Sequence, residues 1–203
     1  MAPRRYRLTT RAASAAATRE RIIRAAAAEY RESGVATSSI RAIAARAEVS
    51  RGTILHHFGD TGGLLGAVLD DVVVSLQVPN ARLLEGTGDA DERARRFVDA
   101  MLRFYDRTSD WWTVFGSEID HPVVQAREVA FWELIAGFRA AAFGAAAFGP
   151  AADDRIVTAV IDALTHPATL GTLRATGLSL DETIAVTGDL VVDLLRRHGL
   201  AGP

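Results

Sequence analysis

The chain has 203 residues, 49% of them hydrophobic, with a formal net charge of −2 and no cysteine. That length and apolar content give one or two domains with a sizeable core and exclude a wholly disordered chain, and the lack of cysteine excludes disulfides and thiolate zinc sites, as the cytoplasm allows. The charge is polarised: residues 1–60 hold eleven Arg against five Asp and Glu, whereas residues 61–203 hold twelve Arg against twenty, the footprint of a nucleic-acid-binding head on an acidic body.

Residues 1–17 are basic through Arg4, Arg5, Arg7 and Arg11, rich in Ala and Ser, and without a leucine-type apolar run. They read as a flexible arm that lends electrostatic help on DNA, and not as a secretory signal. A first helix is predicted over Thr18–Ser33, with Ile22, Ile23, Ala26 and Tyr30 on its inner side. Thr37 to Phe58 then reads as two short helices around a tight turn. The first opens at a Ser38 or Ser39 cap and runs through Ile40, Ile43 and Ala44. Ala47-Glu48-Val49 makes the turn. The second opens at Ser50 and presents Ile54 and Phe58 at i, i+4. Steeply crossing helices need small residues at their joint, and Ala44, Ala45 and Ala47 supply them. This is a helix-turn-helix, whose second helix enters the major groove. Arg51, Gly52, Thr53, Leu55, His56 and His57 are left facing outward on that helix. A generic three-helix packing unit with a solvated face is the competing reading.

Helices continue to the end of the chain. The fourth spans Gly62–Leu76. Pro79 and Gly86-Thr87-Gly88 mark a loop. Asp89 caps a helix with Glu92 three residues on, predicted pairs Asp91–Arg95, Glu92–Arg96 and Asp99–Arg103 outside, and Phe97, Met101, Phe104 and Tyr105 inside. Ser109–Ile119 is a short helix. Pro122 starts a long one with a stripe of Phe131, Leu134, Ile135, Phe138 and Ala142, ended by Gly149-Pro150. Asp153–Ala175 and Ser179–Gly199 complete about nine helices, the last opened by the capping box Ser179–Glu182. His121 and His166 each precede proline and mark helix boundaries or bends. Ile156, Val157, Val160, Ile161 and Leu164 form one apolar band, and Leu190, Val191, Val192, Leu194 and Leu195 cover most of the final helix. A helix apolar on two sides must bury both, which predicts a homodimer through the last two helices.

Aromatic residues gather in the middle of the chain. Phe104, Tyr105, Trp111, Trp112, Phe115, Trp132 and Phe138, with His121, are the predicted lining of a small-molecule site, although aromatics at helical spacing also make plain core. His56 and His57 point about 100° apart on one helix and cannot chelate one metal together. No metal site, cofactor motif, catalytic triad or membrane span is found, so an enzyme reading rests on no motif.

The segment from Thr18 to Val72 resembles the DNA-binding domain of TetR-type regulators. The features that carry the likeness are an Ala-rich first helix ending near Gly34, a Ser/Thr cluster, an I-A-x-x-A core, V-S-R-G-T, an aromatic-ended recognition helix, and Leu64 and Leu65 in a fourth helix. The chain departs from the pattern at three places. Glu48 stands at the usual turn glycine, Leu55 at the usual tyrosine, and Thr61 where a phosphate-binding lysine is common. The resemblance implies an all-α protein: an arm over 1–17, a helix-turn-helix domain over 18–62, and a helical regulatory and dimerisation domain over 63–203. It implies a regulator, most often a repressor, released from a palindromic double-stranded operator by a small-molecule effector. On that expectation Arg51, Thr53, His56, His57 and Arg41 meet the major groove, and Ser38, Ser39 and Thr61 hold phosphates. An activator, a protein-responsive regulator, and a helical enzyme or carrier remain the alternatives.

Overall fold

The computed structural model describes residues 3–116, 121–144 and 154–200, without the side chains of 3–11, 112, 113, 115 and 116. Among the described residues there are ten α-helices, one short 3-10 helix and no strand. The helices are α1 Pro3–Ser33, α2 Ile40–Arg46, α3 Arg51–Phe58, α4 Thr61–Ser75, α5 Ala90–Arg107, α6 Ser109–Gly116, α7 Pro122–Phe143, α8 Arg155–Leu164, α9 Pro167–Ala175 and α10 Leu180–Arg197; the 3-10 helix is Ala81–Leu84. The chain divides into two compact units, Met1–Ser75 with Asp110–Val129, and Leu76–Ser109 with Ala130–Pro203. The stretch expected as an arm does not precede the first helix but extends it, since α1 starts at Pro3. Ala12, Ala13, Ala15, Ala16 and Ala17 supply the strongest helix former just where the arm was expected to end.

In the first unit α1 packs on α2 and α4, α2 on α3, and α3 on α4. Ile22, Ala26, Ala47, Ile54 and Val68 are wholly buried there, with Ile43 and Ala44 nearly so. Burial pushes the Tyr30 phenol up to about 12, so it stays neutral inside the core. The first turns of α7 join this unit through Arg127. Its guanidinium donates to Asp70 at 2.8 and 3.1 Å and to the Gly66 carbonyl at 3.1 Å.

The second unit is organised on α5 and α10. Phe97, Val98, Met101, Leu102, Phe104 and Tyr105 line the inner face of α5; Val191, Val192 and Leu195 line that of α10. Thr183, Thr187 and Gly188 of α10 are buried, and a Cβ on Gly188 would meet Arg95 Cγ at 3.7 Å, an ordinary contact. Phe138 and Phe143 of α7 each bring a ring centroid 4.9 Å from that of Phe97. Within the α7 stripe Phe131, Ile135, Phe138 and Ala142 are buried, but Leu134 is 52% exposed, because it falls at the stripe's edge.

The expected ion pairs are partly re-routed. Glu92–Arg96 and Asp99–Arg103 form at 2.6 and 2.8 Å. Asp91 and Arg95 do not pair with each other but reach across to Arg196 and Asp189 of α10. The single helix expected over 153–175 is two. His166 is the N-cap of α9, its Nδ1 accepting from the Ala168 N–H at 3.2 Å, with Pro167 at the first helical position. His121-Pro122 opens α7 by the same device, Nδ1 accepting from the Val123 N–H at 3.2 Å. No single helix among the described residues is long and apolar enough to cross a membrane.

The predicted caps at Asp89 and Ser179 are present, and the Ser179–Glu182 box is complete. Ser179, through its hydroxyl and then its backbone N–H, holds the Glu182 carboxyl below its ordinary range. The Ile156 N–H, and after it His198, does the same for Asp154 at the start of α8. A carboxyl depressed by folding stabilises the fold above its unfolded value, and that stability is lost as pH falls through the folded value. The melting temperature is therefore expected to drop between pH 6 and pH 3, with a shallower fall in Glu182→Gln, while Ser179→Ala costs about 1 kcal/mol in a urea titration at neutral pH.

Candidate nucleic-acid interface

Ser39, not Ser38, caps α2: its Oγ accepts from the Ala42 N–H at 3.1 Å. Ser38 is turned back on α1, its hydroxyl donating to the Gly34 carbonyl at 2.6 Å. Ser39 stays exposed, as does Arg41 beside it. At the other end of α2 the Val49 N–H reaches the Ala44 carbonyl at 3.0 Å and the Glu48 N–H the Ala45 carbonyl at 3.2 Å. This pair of bonds is a Schellman closure, which needs a left-handed residue at its next-to-last position. Glu48 occupies it at φ +53, without glycine's freedom. Arg21 of α1 secures the same corner, its Nε donating to the Ala47 carbonyl at 2.8 Å. Arg46 binds Glu32 and Glu29 of α1 and pins α2 from its outer side.

Ser50 caps α3 as the sequence predicts, accepting from the Thr53 N–H at 3.0 Å. The Ser50 and Thr53 hydroxyls also lie 2.9 Å apart, so Thr53 is engaged within its own helix. Ile54 faces the core and is fully buried. Phe58 is half-buried, with the Arg19 guanidinium 5.2 Å over its ring. On the opposite side Arg51, Gly52, Leu55 and His56 are exposed, while Thr53 and His57 are half-buried. Leu55 is 42% exposed, although a leucine serves no purpose in water.

Sequence reasoning missed Asp60. Its carboxylate accepts from the Gly63 N–H at 2.7 Å and caps α4, leaving the exposed Thr61 in the first turn. The signal was legible as an Asp three residues before an N–H donor at a helix start. Gly63 permits the tight junction with α3, since a Cβ there would lie 2.0 Å from the Phe58 carbonyl oxygen. Arg19 and Arg21 were also missed as organisers, because their partners are distant in sequence.

The residues predicted to line a ligand site are distributed between the units. Phe104, Tyr105 and Phe138 are buried in the second unit, where Phe104 stacks on Phe131 at 6.0 Å. Trp132 is half-buried there and lies parallel to the His166 ring at 6.1 Å. Trp111 belongs to the first unit under the Arg31 guanidinium, 4.1 Å from its ring, and His121 caps α7 in that unit. The side chains of Trp112 and Phe115 lie outside the described residues. Among the described residues no group of three His, Cys, Asp or Glu side chains is placed to hold a metal.

A short helix laid across a capped neighbour, with an arginine-bearing face left in water, defines the helix-turn-helix class of DNA-binding proteins. Residues 22–68 match the family described as bacterial regulatory proteins, tetR family. The chain is 44% identical over 75 residues to the HTH-type transcriptional repressor Rv3405c of Mycobacterium tuberculosis, covering 36% of this chain and 38% of that protein. It is 35% identical over 82 residues to the HTH-type transcriptional regulator BetI of Stenotrophomonas maltophilia, covering 40% and 42%, and 31% identical over 114 residues to BetI of Burkholderia thailandensis, covering 56% and 52%. The chain thus spans between 38% and 52% of the length of these relatives. A solved structure from Pseudomonas aeruginosa PAO1 covers 89% of this chain and 92% of its own with a TM-score of 0.64; at 22% identity that likeness shows the fold.

The strained turn gives a direct test. Glu48→Gly is expected to raise unfolding stability by about 0.5–1 kcal/mol in a denaturant titration, because glycine adopts this φ without a Cβ clash and offsets that gain only partly by its freer unfolded chain.

Proposed function

We propose that the chain is a sequence-specific, DNA-binding transcriptional regulator that acts as a homodimer and, as a repressor, is released by a small ligand with an apolar or aromatic body. The outward face of α3 carries this reading: Arg51, Leu55 and His56 stand in water on a helix whose other side is fixed by the core. Arg51 offers a fork to guanine or phosphate, and Leu55 an apolar contact for a thymine methyl. His56 and His57, with Arg41 from α2, extend the surface, and Ser39 and Thr61 lie exposed at helix starts where N–H groups favour phosphate. Ser38 contributes by holding the α2 start against α1. Thr53 joins the contact by exchanging its Ser50 partner.

Two half-sites require two heads about 34–36 Å apart. The dimer is supported by two apolar stripes at i, i+4, i+8. Val186, Leu190 and Leu194 form one on α10, with Val186 and Leu190 46% and 48% exposed; Ile156, Val160 and Leu164 form the other on α8, with Ile156 64% exposed. Pairing these helices with their mates would cover both. A ligand gains its leverage by favouring one spacing of the heads, and a few kcal/mol of differential affinity shifts occupancy by about two orders of magnitude.

Arg51→Ala with His56→Ala is expected to weaken operator binding on the order of a hundredfold in a gel-shift titration, with sedimentation still reporting a dimer. Both side chains are exposed, so an unfolded variant is not anticipated, and unchanged DNA affinity would remove α3 as the reading helix. Leu190→Asp is expected to sediment as a folded monomer and to lose at least about tenfold in operator affinity, since the second half-site no longer adds to the first.

A further inference from the structure

The segment after α4 crosses the outer face of α5 without packing flat on it. Arg96, Ala100, Arg103 and Arg107 stand on that face at i, i+4, i+7 and i+11. Two of them tie the ends of the segment. Arg96 Nη1 donates to the Glu85 carbonyl at 2.9 Å, and Arg107 Nη2 reaches the Leu76 carbonyl at 3.4 Å. Between these ties the backbone arches away, with Gln77 at φ +50, a conformation side chains disfavour, and Asn80 capping the 3-10 helix. The arch leaves an open groove of about 760 Å³, within the range of small-molecule sites. Val78, Pro79 and Leu83 make one wall. Leu83 is 47% exposed on it, although its neighbour Leu84 is buried.

The charges in the groove are unequal in availability. Arg96 is matched by Glu92 at 2.6 Å. Arg103 is shared between Asp99 and Asp181, at 2.8 Å from each. Arg107 has no carboxylate partner among the described residues; its contacts are long ones to the Arg103 and Leu76 carbonyls, 3.5 and 3.4 Å, and the Phe104 ring at 5.9 Å. One exposed guanidinium is therefore open to an anion beside an apolar wall. Asp99 in the same groove disfavours a second negative charge.

We propose that this groove binds a small amphipathic monoanion, its carboxylate on Arg107 and its apolar body along Val78, Pro79 and Leu83. As the effector site it rests on the regulator reading above; as a binding site it does not, so binding is read on the full chain without DNA. Octanoate, octanol and acetate are the probes, titrated by calorimetry. Octanoate is expected to bind at least about tenfold more tightly than either of the others, because each lacks one half of the recognition. Arg107→Gln is expected to lose about tenfold for octanoate and nothing for octanol, and Leu83→Asp to weaken both. Arg82→Gln, which removes an equal charge from an exposed neighbour outside the groove lining, leaves octanoate binding unchanged. Equal affinity for octanoate and octanol, wild-type binding by Arg107→Gln, or an equal loss in Arg82→Gln would each overturn the proposal. A protein that binds octanoate but no DNA would keep this site and lose the regulator reading; one that binds DNA but no octanoate would do the reverse.

Discussion

The carbonyl of Ala47 is the point on which the head depends. It ends α2, it precedes the left-handed Glu48, and it accepts from Arg21 of α1 at 2.8 Å. Without that donor the carbonyl would stand unpaired at a crowded joint, which is costly for a partly buried group. With it, three helices share one corner, and the outward angle of α3 is set by this bond and the backbone hydrogen bonds of the turn, none of them made by the outward face of α3. The reading face can then vary in sequence while its position stays fixed. Leu55 in place of a tyrosine is such a variation.

The second unit solves a different problem. Two long helices lie close along much of their length, with Thr183, Thr187 and Gly188 of α10 buried. The charged side chains flanking the contact then pair across it, Arg103 with Asp181, Arg95 with Asp189 and Arg196 with Asp91. These pairs are largely exposed, so each stabilises little in water. Their effect is on register, since a helix shifted by one turn would leave them all unmatched. The aromatic rings below supply the main burial, through Phe97, Phe104, Phe131 and Phe138.

What could be read from the sequence was local. The caps at Ser50, Asp89 and Ser179 follow from side chains that reach two or three residues along the chain, and the helix-turn-helix follows from small residues at a fixed spacing. The unusual turn residue was legible only through the resemblance, which puts Glu48 where a glycine is usual; that the turn keeps a positive φ there, at +53, emerges from the fold. Asp91 and Arg95 misled for the complementary reason: i, i+4 spacing describes one helix, whereas their partners depend on the register of α5 against α10. Leu134 misled because a stripe's width depends on what lies opposite. The break before α9 lies at His166-Pro167, a pair that fits a helix boundary and a bend alike, since proline is also tolerated within the first turn. The ring-rich middle of the chain could not be sorted into core and lining, because burial is a property of the folded surroundings.

The final helix is tied at both ends. Ser179 and Glu182 close its start, and at its finish His198 Nδ1 lies 2.8 Å from the Asp154 carboxylate, which also caps the start of α8. Fraying of α10 from its C-terminus therefore removes a support of α8, and fraying of α8 removes one from α10. The two helices open as one cooperative element instead of two independent ones, and their backbone amides would exchange with solvent deuterium on a shared timescale.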